Sequence, residues 1–148
     1  MITVKNTLRK HAIDTDKVKK VAQQVLDQLN YSDFDLGVWL TTNKTIRDYN
    51  KTYRHKDKAT DILSFSYHPD LIPGERIVVE SEEDKNLGDL IISPEFVVSQ
   101  LPELDTTLEK RMNVLLVHGI CHLLGHDHEK DDEYEIMNKQ EQALLNNL

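Results

Sequence analysis

Eleven consecutive residues, from His118 to His128, hold four of the chain's seven histidines, and no other stretch restricts the fold so tightly. Met112, Val114, Leu115, Leu116 and Val117 lead into it, and Ile120, Leu123 and Leu124 continue it. A helix that is apolar nearly all round is normally buried. His118 and His122 are four apart, so on a helix they share one face, with Cβ atoms about 5–6 Å apart. Two imidazoles in an apolar helix need partners, because an unpartnered buried polar group is costly. One metal ion would satisfy both. Gly125 is the residue type that ends helices by taking the left-handed conformation cheaply, so the chain can turn back over the first two rings. His128 suits the third place, with Asp127 beside it as an orienting group. His126 lies four from His122, but beyond the glycine that breaks the register. The expected ligands are His118, His122 and His128 around one Zn2+ with an open fourth position, which describes a catalytic site rather than a closed structural one. Histidines bonded to core carbonyls are the bland alternative, and three at this spacing argue against it.

The offsets of these histidines and of the glycine match the metzincin pattern H-E-x-x-H-x-x-G-x-x-H. Where those proteases carry the glutamate that serves as general base, this chain has Gly119. The metal cage survives and the peptidase's proton shuttle does not.

At 148 residues the chain is long enough for one domain with a substantial core, and a single domain over 1–148 is expected. No apolar run reaches membrane-spanning length, and the first residues lack the apolar block of a secretory signal. The one cysteine, Cys121, excludes an internal disulfide and fits a reducing compartment. It is expected to pack, since position 121 points away from the 118/122 face. The net charge of −8 argues against indiscriminate nucleic-acid binding. That charge is unevenly spread: residues 1–58 carry twelve Lys/Arg against seven Asp/Glu, whereas residues 59–148 carry six against nineteen. Such asymmetry suggests a locally basic surface in the first part.

Ile2 to Asn6 reads as a strand. Asp14 to Asp16 start a helix with an apolar stripe of Val18, Val21, Ala22, Val25, Leu26 and Leu29. Phe34 to Thr41 alternates as a strand, with Trp39 covering the sheet. Thr42 opens a second helix with Ile46, Tyr49 and Tyr53 inward and Arg47, Asn50, Lys51 and Arg54 outward. A charged loop, His55 to Thr60, leads to the strand Asp61 to Tyr67. From His68 to Asn86 a loop or arm is expected, with Ile77 to Val79 as a short strand. Leu87 to Ile92 is a buried strand. Ser93 and Pro94 start a helix that stops near Pro102. Thr106 and Glu109 read as a capping box for the histidine helix. After the histidines, Asp131 or Asp132 starts an amphipathic helix with a stripe of Tyr134, Met137, Leu144, Leu145 and Leu148. The fold class is α/β: a small mixed sheet covered by helices, with the histidine helix central.

Residues 118–128 are similar to the signature H-G-x-x-H-L-x-G-x-D-H of the YbeY family of bacterial endoribonucleases. Asn50, Tyr53-Arg54, Lys56-Asp57 and Thr60 to Phe65 resemble that family's second motif, and Leu87 to Ile91 its third. The resemblance spans essentially the whole chain. The family often has tyrosine before the aspartate of the signature, where this chain has His126. The resemblance implies zinc on His118, His122 and His128, a functional Arg54 with Lys56 at the substrate, and cleavage of single-stranded RNA. It also implies 16S ribosomal RNA 3′-end maturation, ribosome quality control, association with the ribosome or its small subunit, and a bacterial cytoplasmic setting without membrane attachment. A monomer is the default expectation.

The expected chemistry is metal-assisted phosphodiester hydrolysis. Zinc would lower the pKa of its water towards about 7, and Arg54 would stabilise phosphate charge, a planar guanidinium engaging two oxygens at once. Two rival readings are a zinc peptidase or amidase on a zincin-like scaffold, and a non-catalytic ribosome-assembly factor whose zinc is structural.

Overall fold

Alternation along one strand decides how the sheet is covered. In β2 (Asp35–Leu40), Leu36, Val38 and Leu40 are buried in the main core, while Trp39 packs into a second, smaller cluster. Successive side chains of a strand point to opposite faces, so the two clusters mark the two faces of one sheet. The computed structural model describes residues 1–9 and 13–148. Its sheet has the order β1-β2-β4-β3, with β1 (Ile2–Asn6), β3 (Ile62–Ser66) and β4 (Asn86–Ile92). β1, β2 and β4 are parallel, and β3 runs antiparallel to β4 at the edge. The sheet is mixed, as expected.

Helices α1 (Thr15–Gln28), α3 (Pro94–Leu104) and α4 (Leu108–Leu123) cover the main-core face, and α5 (Asp131–Asn146) packs on α4. α2 (Asn43–Arg54) lies on the other face, where Ile46 meets Leu63 and Ile91. Capping follows the sequence: Asp14, Thr42, Ser93 and Thr107 each accept a backbone N–H at the start of α1 to α4. Such caps satisfy donors that the helix itself leaves unpaired.

Several local expectations are corrected. The cap of α4 is Thr107, which accepts from Lys110, one residue later than the capping box read at Thr106 and Glu109. α3 runs through Pro102 to Leu104. Proline removes one helical N–H and crowds the carbonyl four residues back, and α3 ends two residues beyond it. Ile77 to Val79 forms no strand: Ile77 is buried and its N–H donates to the Tyr31 hydroxyl, while Val78 and Val79 face solvent. On α2, Asn50 is buried rather than outward, its amide donating to the Lys58 carbonyl at 2.9 Å, and Tyr53 is exposed. On α5, Met137 and Leu144 are buried as expected, but Tyr134 is exposed, and the helix ends at Asn146, leaving the exposed Leu148 outside it.

α4 is central, as expected. Eight of its residues are buried, from Met112 to Leu123. Gly119 is among them, and a Cβ there would lie 2.7 Å from Leu90 Cδ2 and 2.8 Å from Ile62 Cδ1. The missing side chain lets α4 settle onto the sheet. Edge strand β3 then fastens the helix from the side: Ser64 Oγ donates to the Gly119 carbonyl and Ser66 Oγ to the Leu123 carbonyl at 3.0 Å. Leu123 is the last residue of the helix, so its carbonyl has no intrahelical partner and the serine supplies one. Arg111, on the first turns of α4, pairs with Asp61 just ahead of β3 at 3.4 Å.

Candidate metal centre

α4 ends where the sequence demands it. Leu124 closes the helix, and Gly125 takes φ +94°, a conformation that favours glycine. A side chain at 125 would also run into the Leu71 carbonyl, in the arm that follows β3. The chain therefore reverses at once, held by the His126 N–H donating to the Cys121 carbonyl at 3.1 Å. That reversal brings His128 back to the helix. One ring nitrogen from each of His118, His122 and His128 lies within 4.8 Å of the others. The ring centroids are 4.6 Å apart for 118–122, 5.5 Å for 118–128 and 5.1 Å for 122–128. The three residues read from the sequence come together.

Hydrogen bonding fixes how these rings present themselves. His118 Nδ1 lies 3.0 Å from Glu141 Oε1, and His122 Nδ1 lies 2.9 Å from the His126 carbonyl oxygen. A carboxylate and a carbonyl only accept, so each Nδ1 carries the proton and donates. In the neutral rings each Nε2 is then a bare lone pair, and the two face each other at 3.1 Å. Two lone pairs at that separation repel unless a proton or a cation lies between them. Burial acts in the same direction: removal from water, reinforced by neighbouring His118, pushes the His122 pKa down to about 4, so this ring is neutral and free to ligate at ordinary pH. His128 is the exposed member, which leaves the cluster open on one side. Three imidazole nitrogens with an open side suit a divalent transition ion such as zinc.

Glu141, on α5, has a side chain only 15% exposed. It is a site residue that reading by apolar periodicity missed. A usable signal was present: a carboxylate between Met137 and Leu144, on the buried stripe of α5. Asp127, expected to orient a ring, instead accepts from the backbone N–H of His128 at 2.8 Å and so shapes the turn. His126 contributes its carbonyl rather than its ring. Cys121 is fully buried, its thiol pushed up to about 12 by burial and by the Glu141 charge.

Arg54 and Lys56 sit apart from this cluster. Arg54 is the last residue of α2, which packs on the face of the sheet opposite α4, and Lys56 lies in the loop after it, both exposed. Neither makes an ion pair among the described residues. Tyr53 beside Arg54 packs edge-on against Phe65 of β3 at 5.2 Å, so the end of α2 reaches the same edge strand that braces the histidine helix.

Fold and site define a class: an α/β protein with a three-histidine cluster, sized for one ion, at the end of a central helix. Comparison with known proteins gives the family. The sequence model of Endoribonuclease YbeY matches residues 3–148. A relative of that name from Aquifex aeolicus is 43% identical over 128 residues, covering 86% of this chain and 79% of its own. The human protein of that name is 32% identical, with 99% of this chain and 87% of its own covered. A solution structure of TM1509 from Thermotoga maritima superposes with a TM-score of 0.60 at 22% identity, over 99% of this chain and 90% of that one, and so shares the fold. This chain belongs to the endoribonuclease YbeY family.

Proposed function

We propose that this protein is a single-domain, one-metal endoribonuclease acting on single-stranded RNA, with His118, His122 and His128 holding Zn2+. The observation that carries the reading is the pair of converging Nε2 lone pairs whose opposite ring nitrogens are both committed as donors. An ion bound there would supply Lewis acidity, making a water nucleophilic at neutral pH and drawing charge from a phosphoryl oxygen. The protein's own part is to hold the rings: Glu141 fixes His118, and the turn carbonyl of His126 fixes His122. Arg54, at the end of α2 beside edge strand β3, serves the substrate, its guanidinium pairing with phosphate oxygens of an RNA strand that crosses that edge to the histidines. Lys56, two residues on, adds a second cation along the strand. The relatives' name supports RNA as substrate. By the same family reading the protein matures the 16S ribosomal RNA 3′ end and takes part in ribosome quality control on the small subunit, as a monomer in the bacterial cytoplasm. None of the described helices is long and apolar enough to cross a membrane.

Gly119, where the metzincin pattern has its general-base glutamate, argues against the peptidase reading. A glutamate at position 119 would have to enter the contact between α4 and the sheet, where even a Cβ is crowded by Leu90 and Ile62. A purely structural metal fits poorly with an exposed His128.

Metal analysis paired with cleavage of a single-stranded RNA by wild type and His118→Ala tests the proposal. Wild type should carry about one ion per chain and cut RNA, and the variant should stay folded and do neither. Cleavage that survives loss of the ion overturns it.

A further inference from the structure

One stripe of α5 faces the histidines. Glu141 holds His118; Asn138 and Met137 lie about a turn earlier, and Tyr134 about one turn before those. Positions three, four and seven apart share a helix face. These residues line a cleft of about 110 Å³ together with His118 and His128. Met137, 1% exposed, is the cleft's buried member. Tyr134 is 56% exposed, a large aromatic left in solvent one turn from the buried Met137. Among the described residues, neither the Tyr134 hydroxyl nor the Asn138 amide has a hydrogen-bond partner. An apolar floor, a free aromatic face and a free amide make a small cleft of mixed character. The cleft is smaller than the cavity of about 150 Å³ that encloses benzene, so a base would enter it only in part, with one face left to Tyr134.

We propose that this cleft seats one unstacked base of the RNA strand beside the metal centre, with Tyr134 stacking on the base and Asn138 hydrogen-bonding its edge. The inference rests on the endoribonuclease reading above and adds a specificity subsite to it. Single-stranded RNA is recognised in this way: splayed bases stack on aromatic side chains and offer their edges to amides. A base inside a duplex is already stacked and paired, so the cleft favours single strands over duplex.

The test uses the full chain with Tyr134→Ala, Tyr134→Phe and Asn138→Asp. Two readouts are taken: cleavage by the zinc-loaded proteins, and anisotropy binding of a labelled single-stranded oligonucleotide to the same proteins stripped of metal. Tyr134→Ala should raise KM and weaken metal-free binding by about ten-fold or more, with kcat and zinc content near wild type. Tyr134→Phe should restore both, because the ring and not the hydroxyl stacks. Asn138→Asp should reorder cleavage among oligonucleotides that differ at one base beside the cut. Unchanged KM and binding in Tyr134→Ala, or a Tyr134→Phe protein as weak as Tyr134→Ala, overturns the subsite. Should wild type bind RNA through Tyr134 yet never cleave it, the subsite stands and the endoribonuclease reading falls.

Discussion

Glu141 and His118 are twenty-three positions apart on separate helices, yet their side chains meet at 3.0 Å. The contact sets the tautomer of a ring that is otherwise free to present either nitrogen. A carboxylate behind a metal-binding histidine also raises the basicity of the ligating nitrogen.

Replacing this carboxylate should therefore loosen metal binding without abolishing it. Glu141→Gln is expected to weaken zinc affinity by about ten- to a hundred-fold. Titration against a competing chelator reads this directly. Wild-type affinity in the variant would show that the carboxylate does not orient His118.

A side chain at position 119 should strain the seat of α4 on the sheet in proportion to its size. Alanine there must move the ends of the Leu90 and Ile62 side chains, and overpacking of about 1–3 kcal/mol outweighs the roughly 1 kcal/mol that alanine gains over glycine in a helix. Gly119→Ala should lower the midpoint of urea unfolding accordingly. Gly119→Glu should destabilise further and yield no peptide hydrolysis, even though it completes the metzincin pattern. Turnover of casein by that variant would contradict the packing argument.

Ser66→Ala removes the donor to the Leu123 carbonyl at the end of α4. A bond of this kind contributes about 0.5–1.5 kcal/mol. Loss of stability in that range is expected, with hydrogen exchange accelerating at the helix end next to His122. A uniform change across α4 would mean that the serine does not act locally.

Cys121 gives a pH dependence with a defined sign. Its thiol ionises near 9.0 when solvated but is pushed up to about 12 in the fold. Above pH 9 the unfolded chain therefore holds fewer protons than the folded one, and this group's contribution falls as pH rises. Cys121→Ala should flatten the loss of stability between pH 9 and the folded value of about 12. At pH 8 a thiol reagent should label the cysteine only after unfolding. Rapid labelling of the native protein would show that the thiol is neither buried nor protonated.

The histidine triad was legible because its determinants are local: a spacing of four, an apolar surround and a glycine to turn on. The partners of the rings were not, because Glu141 reaches His118 only through the packing of α5 on α4. The same limit explains Asn50 and Tyr53. A period of 3.6 assigns faces by polarity, and it cannot see that Asn50 turns inward to hold the Lys58 carbonyl while Tyr53 is left out. Tyr134 was read as core for the same reason, and its exposure beside the cluster is what the period could not supply. Arg54 was legible only through resemblance: as a lone exposed guanidinium at the end of α2 it has no local mark that separates it from any surface arginine.

The ring of His122 grips the main-chain oxygen of the very turn that delivers His128. Two of the three teeth that would hold an ion are thus mechanically linked, and displacing the turn disturbs both together. Ion release should proceed as a single concerted step, with no long-lived stage in which only the exposed ring has let go.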